Sequence, residues 1–549
     1  MKASECKSPS SVCSDKTGRE LTASFVFVEA SLQRHATVIR SAPSEDDLAC
    51  TPLMEGETKQ AVVHDVKLIH PITAEGTLLL TSSRLLIASQ DPICIGLCSI
   101  LDLKTYPSKP QIDIKTKDSR FFQILLVDVA VKAGLFKLMH SLVFAVGVTD
   151  LLPVVRLKRA LALFSPPIYR IENEAKRLGI SDSSDVTVRD WNSDYSICAT
   201  YPASFFVPAK VSRETLVGTA KFRDKGRIPI MSWCKSGFGS IWRSSQPKSS
   251  LLNRSVDDED FLAQTRVMFI IDCRPMLNAY ANIAHGAGVE SLSNYHSGIE
   301  LWFAAIQNIH HVRDAWERHF SLAQQYYAPV PGGSSSGWFS GLESGAWQDH
   351  ICSVLKAASI LVEKISSGIS VLCRCSHGLD RTPQVVALAM LALDRHYRTI
   401  TGFAILIEKE WVATGHKIHS RFCIGEPPHD DVSPIFAQWI ECVYQLMMQR
   451  PDEFEFSAAY LTGILAGVVS GRFGNFLLDS ERERIERGLL THDGQVADSM
   501  WPLLWREKDR YTNHNFQHRS GDAPLPIDHR IASVRVFNEL WLAHSRIDI

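Results

Sequence analysis

The tightest constraint on this chain lies between Ile369 and Arg395. Ile369–Cys373 is a β-branched apolar run with the pattern of a buried strand. It enters Cys375-Ser376-His377-Gly378-Leu379-Asp380-Arg381-Thr382, and Pro383 follows where a first helical turn tolerates proline. Val385–Leu393 is again apolar. A polar loop held between two buried elements requires a sheet with a helical layer behind it. On spacing alone Cys-x5-Arg is weak in a chain with 13 cysteines; the strand–loop–helix context gives it meaning. Backbone N–H groups of such a loop converge on an anion, and the helix N-terminus adds positive potential. Arg381 offers a planar, two-pronged donor to phosphate oxygens. The same field lowers the pKa of Cys375 and favours the nucleophilic thiolate. The chemistry implied is phosphoryl transfer to sulfur followed by hydrolysis, with no metal and no cofactor required.

Around this loop the chain reads as several units. Its 549 residues suggest two to four domains, and a net charge of −2 argues against a nucleic-acid binder. The cysteines are odd in number, spread out and without a C-x-x-C pair, as expected of reduced thiols rather than a disulfide or zinc framework. Met1–Cys13 has no apolar core of a secretory signal. Phe456–Gly471 is uncharged but interrupted by Ser, Thr and Gly, so a buried core helix is expected there, not a membrane span.

Residues 1–50 read as a flexible tail. Residues 51–150 hold short β-type runs, including a hairpin over Gly76–Ala88 and a strand at Phe121–Leu126, closed by a helix over Val129–Phe144; a small β-barrel is expected. Residues 151–190 read as a connector. From 191 to 549 strand candidates (Ile228–Trp233, Val267–Ile271) alternate with helix candidates (Ser293–His311, Trp347–Ser366, Pro383–Arg395, Pro434–Met448), the pattern of an α/β domain. Pro331–Gly337 reads as a surface loop within it.

Many separate segments, in one order, resemble the myotubularins, a phosphoinositide 3-phosphatase family of the Cys-x5-Arg superfamily. Leu53–Glu57 and Gly76–Ala88 resemble the start of the family's PH-GRAM domain. Cys198–Pro202, Arg227–Trp233 and Ser245–Pro247 resemble the entry to its phosphatase domain. Asp272-Cys273-Arg274-Pro275 with Asn278, Ala279, Ala281 and Asn282 resembles its D-x-R-P-x-x-N-A-x-A-N signature, and Asn308–His310, Leu342–Ser344, Lys409–Trp411, Gly415–Lys417 and Ser433–Phe436 follow in order. The resemblance implies an α/β phosphatase domain with a central sheet flanked by helices, preceded by a PH-GRAM domain. It also implies removal of the 3-phosphate from phosphatidylinositol 3-phosphate and phosphatidylinositol 3,5-bisphosphate. Cys375 would be the nucleophile, Arg381 the phosphate clamp and Asp380 the general acid, although a carboxylate beside Arg381 could equally be structural. Substrate contacts would come from the loop residues Ser376, His377, Gly378 and Leu379 and from Asn282, Asn308, Ile309, Lys417 and Arg421. Lys417 and Arg421, four apart on an expected helix, would share one face. The implied partners are phosphoinositides at a membrane surface and related chains in a homo- or hetero-oligomer. The implied place is the cytoplasm, peripheral on endosomal or other phosphoinositide-bearing membranes.

The loop departs from the family's C-S-D-G-W-D-R. His377 stands for the first Asp and Leu379 for the Trp, while Arg374 and Cys373 replace the usual His and apolar residue before the nucleophile. His377 adds a group titrating near neutral pH, and Arg374 is expected to help depress the Cys375 pKa. Besides an active lipid phosphatase, two other functions fit: a membrane-binding scaffold without turnover, and a protein phosphatase of the same superfamily.

Overall fold

The computed structural model describes residues 53–54, 57–71, 73–89, 93–144, 164–165, 167–181, 184–249, 253–281, 288–327, 341, 344–517, 521 and 523–541. The tail over 1–50, the loop over Pro331–Gly337 and Asn282 lie outside them.

The first unit is a single antiparallel sheet of β1 (Lys59–His70), β2 (Ala74–Thr81), β3 (Arg84–Ala88), β4 (Ile93–Gly96), β5 (Ile100–Tyr106), β6 (Lys109–Thr116) and β7 (Phe121–Leu125), in the order β4-β3-β2-β1-β7-β6-β5. Helix α1 (Val129–Val143) starts where the Asp128 side chain accepts the Val131 N–H at 2.8 Å. It places Val131, Leu135, Leu138 and Met139 on the apolar face of the sheet, against Val63, Leu68, Ile112 and Ile124. The hairpin, the Phe121 strand and the closing helix stand where the sequence puts them. No ladder joins the outer strands β4 and β5, so the expected barrel is an open seven-stranded sheet in its hydrogen bonding.

The region expected to connect the units carries β8 (Phe164–Ser165), α2 (Ile171–Arg177) and β9 (Val186–Arg189) in its described part. These belong to the larger body. Strand β9 pairs with β10 (Phe205–Pro208), and β8 pairs with a two-residue strand at Val496–Ala497. The mixed composition that resembled a linker holds a buried ion pair, Lys409 to Glu174 at 2.8 Å, and a half-buried one, Arg177 to Asp394 at 2.7 Å.

The larger body is built on a five-stranded sheet in the order β11 (Ile230–Trp233), β12 (Ile241–Ser244), β15 (Ser370–Arg374), β13 (Val267–Asp272) and β14 (Glu300–Phe303). All neighbours are parallel except the β11–β12 pair. The two-residue period of the strands divides two cores. Val371 and Cys373, with Phe269, Ile271 and Cys273, face the large helical core; Leu372 and Ile270 face the other side. Helices flanking the sheet include α3 (Arg213–Phe222), α4 (Val256–Thr265), α5 (Met276–Ala281), α6 (Ile309–Tyr327), α7 (Trp347–Ser366), α8 (Arg381–Leu393), α9 (Ile400–Ile407), α10 (Ile418–Phe422), α11 (Ile435–Gln449) and α12 (Ala458–Val469). Helix α12 is the buried core helix expected over Phe456–Gly471.

One expected element is wrong. Ser293–His311 is not a helix but a short 3-10 turn, the edge strand β14, and only then the start of α6. Gly298 at φ +89° interrupts the segment, and Glu300–Phe303 takes its ladder from β13, a partner remote in sequence.

Candidate active site

Because β12, β13 and β15 run parallel, their C-terminal ends open on one edge, where ligands of open α/β sheets bind. Loop 375–380 leaves β15 there and enters α8. Gly378 has φ +69°, and a Cβ at this position would stand 2.5 Å from the Ser244 carbonyl oxygen. Only glycine permits this turn without strain, and it directs the Gly378 N–H to Cys375 Sγ at 3.2 Å.

The back of the loop is held by side chains to which the sequence assigned no role. Arg243 and Arg227, both fully buried, donate to the Gly378 carbonyl at 2.8 and 3.2 Å. His416 Nδ1 donates to the Leu379 carbonyl at 2.7 Å, and the Gln246 N–H donates to that of Ser376 at 3.0 Å. The signal for Arg227 and Arg243 was available: each is a lone cation at or in an apolar strand run, a position tolerable only with buried acceptors.

Cys375 is buried at the base of the loop. Burial alone would raise its pKa, but the Arg381 charge, helped by the hydroxyl and amide of Thr382, overcomes this and brings the thiol below its ordinary value. Arg381 donates from Nη2 to the Ser376 hydroxyl and from Nη1 to the Ile306 carbonyl, each at 3.3 Å. No carboxylate is within ion-pair distance of it among the described residues, so its guanidinium remains available to an anion. Asn308 sits nearby as the cap of α6, its side chain accepting the N–H groups of His310 and His311 at 3.0 and 3.2 Å, while the Ile309 carbonyl accepts from the Ser433 hydroxyl.

Arg374 does not play the expected part. It is fully buried and paired with Asp272 at 2.7 Å and with Glu290. Glu290 also takes Arg223 at 2.8 Å, and Arg223 holds Asp258 through two bonds of 2.7 Å. Burial would raise the Glu290 pKa, but Arg374 and Arg223 hold it at about 2. The positive charge of Arg374 is therefore spent on this network beneath the loop, and Arg381 polarises the thiol instead.

Asp380 is gripped by Arg421, Nε to Oδ1 at 2.8 Å and Nη2 to Oδ2 at 3.0 Å, with His416 Nδ1 at 3.6 Å. Despite burial, the Arg421 charge and hydrogen bonds keep Asp380 well below the usual carboxylate range. It is an ionised acceptor in this state. Arg421 and Lys417 do not present the open pair of cations the spacing suggested. Helix α10 is five residues long, Arg421 turns inward to Asp380, and Lys417 stands half-buried just before it. Lys417 has a neighbour the sequence did not single out: the Lys225 pKa is lowered by burial and then by the Lys417 charge. His377 lies 3.2 Å from Asp224, but burial and then Lys225 push it below its ordinary pKa, so it is neutral at pH 7. The side chain of Leu379 is 1% exposed and forms part of the loop's foundation, not an open wall.

Residues 159–485 match the myotubularin-like phosphatase domain. This chain belongs to the myotubularin family. Among curated relatives, mouse phosphatidylinositol-3,5-bisphosphate 3-phosphatase MTMR6 is 39% identical over 356 residues, covering 63% of this chain and 56% of the relative. Mouse phosphatidylinositol-3-phosphate phosphatase MTMR7 is 38% identical over 356 residues, with 63% and 52% covered. Rat myotubularin is 39% identical over 392 residues, with 68% and 62% covered. The chain thus spans little more than half the length of the first of these myotubularins. The family's mixed sheet and helices are those of the larger body, and the matched stretch takes in β15, the Cys375 loop and α8.

Proposed function

We propose that this chain hydrolyses the 3-phosphate of phosphatidylinositol 3-phosphate and phosphatidylinositol 3,5-bisphosphate. The observation that carries the reading is the Cys375 thiol lowered by an Arg381 that has no carboxylate partner among the described residues, at the base of a glycine-turned loop. In this reading Cys375 Sγ attacks phosphorus in line with the leaving inositol oxygen, while Arg381 and the loop amides bind the phosphoryl oxygens. Water then attacks the cysteinyl phosphate and frees inorganic phosphate and the thiolate. The names of the relatives support the two lipid substrates. The 59–143 unit is read as a PH-GRAM domain that assists docking.

Asp380 is the proposed proton donor, and its resting state sets a condition. While Arg421 holds both oxygens, Asp380 has no proton to give. A headgroup phosphate that draws Arg421 away removes the main cause of its low pKa and lets it protonate. In this reading Lys417 and Lys225 receive the phosphate more remote from the loop. The scaffold alternative rests on the same observation, because a permanently paired Asp380 would bind lipid without turnover. Helix α5 supports a membrane substrate over a soluble one. It follows β13 beside the catalytic loop and exposes Leu277, Met276 and Tyr280. No helix among the described residues is long and apolar enough to cross a membrane, so contact through this face would be peripheral.

Phosphate release from short-chain phosphoinositides and a phosphopeptide panel tests the proposal. Release from the two 3-phosphorylated lipids alone is expected. Binding without release indicates the scaffold, and release from peptides overturns the lipid assignment.

A further inference from the structure

Cys375 has two thiol neighbours. Cys273 and Cys373 are both fully buried, and their sulfurs lie 3.6 Å apart. Cys373, on β15, is two residues before Cys375 at the start of the loop, and both face the same core. The parallel register Ile271↔Cys373 and Asp272↔Arg374 continues to Cys273 opposite Cys375, and the Cys273 N–H donates to the Arg374 carbonyl at 2.8 Å. Adjacent strands stand about 4.8 Å apart, within the roughly 4.4–6.8 Å between Cα atoms that a disulfide spans. Three thiols therefore line one seam at the C-terminal ends of β13 and β15.

We propose that Cys273, backed by Cys373, is the resolving thiol for a Cys375 oxidised by a hydroperoxide. The proposal rests on the proposed function only in taking Cys375 as the reactive thiolate. In the first step the Cys375 sulfur attacks the peroxide, the O–O bond breaks, and Cys375 becomes a sulfenic acid as the peroxide oxygen leaves as hydroxide. In the second, the Cys273 sulfur attacks the sulfenic sulfur. The S–O bond breaks, the Cys273 proton and the hydroxyl leave as water, and a Cys273–Cys375 disulfide forms. In the third, Cys373 attacks the Cys273 sulfur, forms the Cys273–Cys373 disulfide and releases Cys375, which takes up the proton lost by Cys373. The net change is two thiols oxidised and one hydrogen peroxide reduced to two waters. The oxidant needs to reach only Cys375, at the base of the open loop. Burial, then Cys373 and Cys375, holds the Cys273 thiol protonated at rest. A neutral sulfenic acid at Cys375 removes one of those negative neighbours at the moment Cys273 must react.

Peptide mapping of the full chain after limited hydrogen peroxide tests this without an activity assay. The expected product is about 2 Da lighter than the reduced protein, with Cys273 joined to Cys375 or Cys373, rather than about 32 Da heavier with Cys375 as sulfinic acid. Cys373→Val should trap the Cys273–Cys375 disulfide, and Cys273→Ala should send Cys375 to the sulfinic acid, with phosphate release no longer recovered by dithiothreitol. If a variant fails to fold, the wild-type map still decides. Sulfinic Cys375 with Cys273 and Cys373 still free overturns the relay and leaves the proposed function standing. A Cys375 that reacts with neither peroxide nor iodoacetamide at neutral pH overturns both.

Discussion

Arg381 is the residue on which the chemistry turns, because burial alone would leave Cys375 a neutral thiol. Arg381→Ala should raise the Cys375 pKa, slow its alkylation by iodoacetamide at pH 7, and lower kcat by about 10²–10³, as loss of one preorganised donor does. Cys375→Ser should abolish turnover yet bind the lipid, since the loop amides and Arg381 remain; turnover at the wild-type rate would exclude a thiolate nucleophile. His377 acts at the same scale but in a lower pH range than its type suggests. Its folded-state pKa is depressed, so it is neutral at pH 7 and gains charge only as pH falls below about 6.5. A positive His377 then favours the phosphate, whereas aspartate at that position stays negative. The ratio of wild-type to His377→Asp kcat/KM should therefore be flat from pH 7 to 8 and rise below about pH 6.5. A ratio that changes only above pH 7 would separate His377 from the effect.

At the scale of elements, strand β15, its loop and helix α8 were legible because local pattern and tertiary need agree there: a buried strand, a phosphate-type turn and an apolar helix each keep their own signature. Trp347–Ser366 likewise forms α7 over the expected residues. Helix α6 was missed although Val312, Trp316, Phe320 and Ala323 mark its buried stripe at helical spacing. The expected helix ended where α6 begins, because β14 before it owes its form to pairing with β13. The ion network under the loop was illegible for a related reason. Arg223, Glu290 and Asp258 are scattered in sequence and acquire meaning only when β13 and β15 bring Asp272 and Arg374 together. Removing one partner leaves a buried charge unmatched, so Glu290→Ala should destabilise the larger body by about 3–5 kcal/mol, seen as a lower urea midpoint by tryptophan fluorescence. An unchanged midpoint would show that water reaches the network. Helix α5 makes a different prediction. Leu277 is 80% exposed, so Leu277→Asp should leave turnover of a soluble short-chain substrate unchanged. On vesicles, losing about 1.5–3 kcal/mol of apolar burial should reduce binding at least about tenfold. Equal effects on both substrates would place α5 in the fold and not at the bilayer.

At the scale of the molecule, the two units are joined by more than the chain. Phe121 meets Phe320 edge-on at 6.4 Å, and Lys115 pairs with Glu317. Lys117 crosses the junction fully buried, donating to the Cys98 carbonyl at 2.6 Å and the Cys423 carbonyl at 2.9 Å. Beside it a cavity of about 420 Å³ is lined by Leu101 and Lys115 from the first unit and by Trp316, Phe422 and Arg421 from the second. Arg421 is the residue that grips Asp380, so the junction lies one side chain from the catalytic loop. Burial lowers the Lys117 pKa, so its charge is costly there, and what it supplies in return is one hydrogen bond to a carbonyl in each unit. Lys117→Ala removes both bonds, and a hydrogen bond from a charged group contributes roughly 1.5–3 kcal/mol. The loss should appear locally, as opening of the junction and not as global unfolding. Amide hydrogen exchange should accelerate by about tenfold or more over 97–101 and 420–426, while helix α4, whose buried Phe261 lies in a separate core, keeps its rate. Because Cys423 follows Arg421 by two residues, the same variant should loosen the hold on Asp380, ease its protonation and raise kcat on the bisphosphate lipid. Faster exchange with unchanged kcat would confine Lys117 to docking the units. Unchanged exchange would mean that Lys115 and Phe121 hold the junction without it.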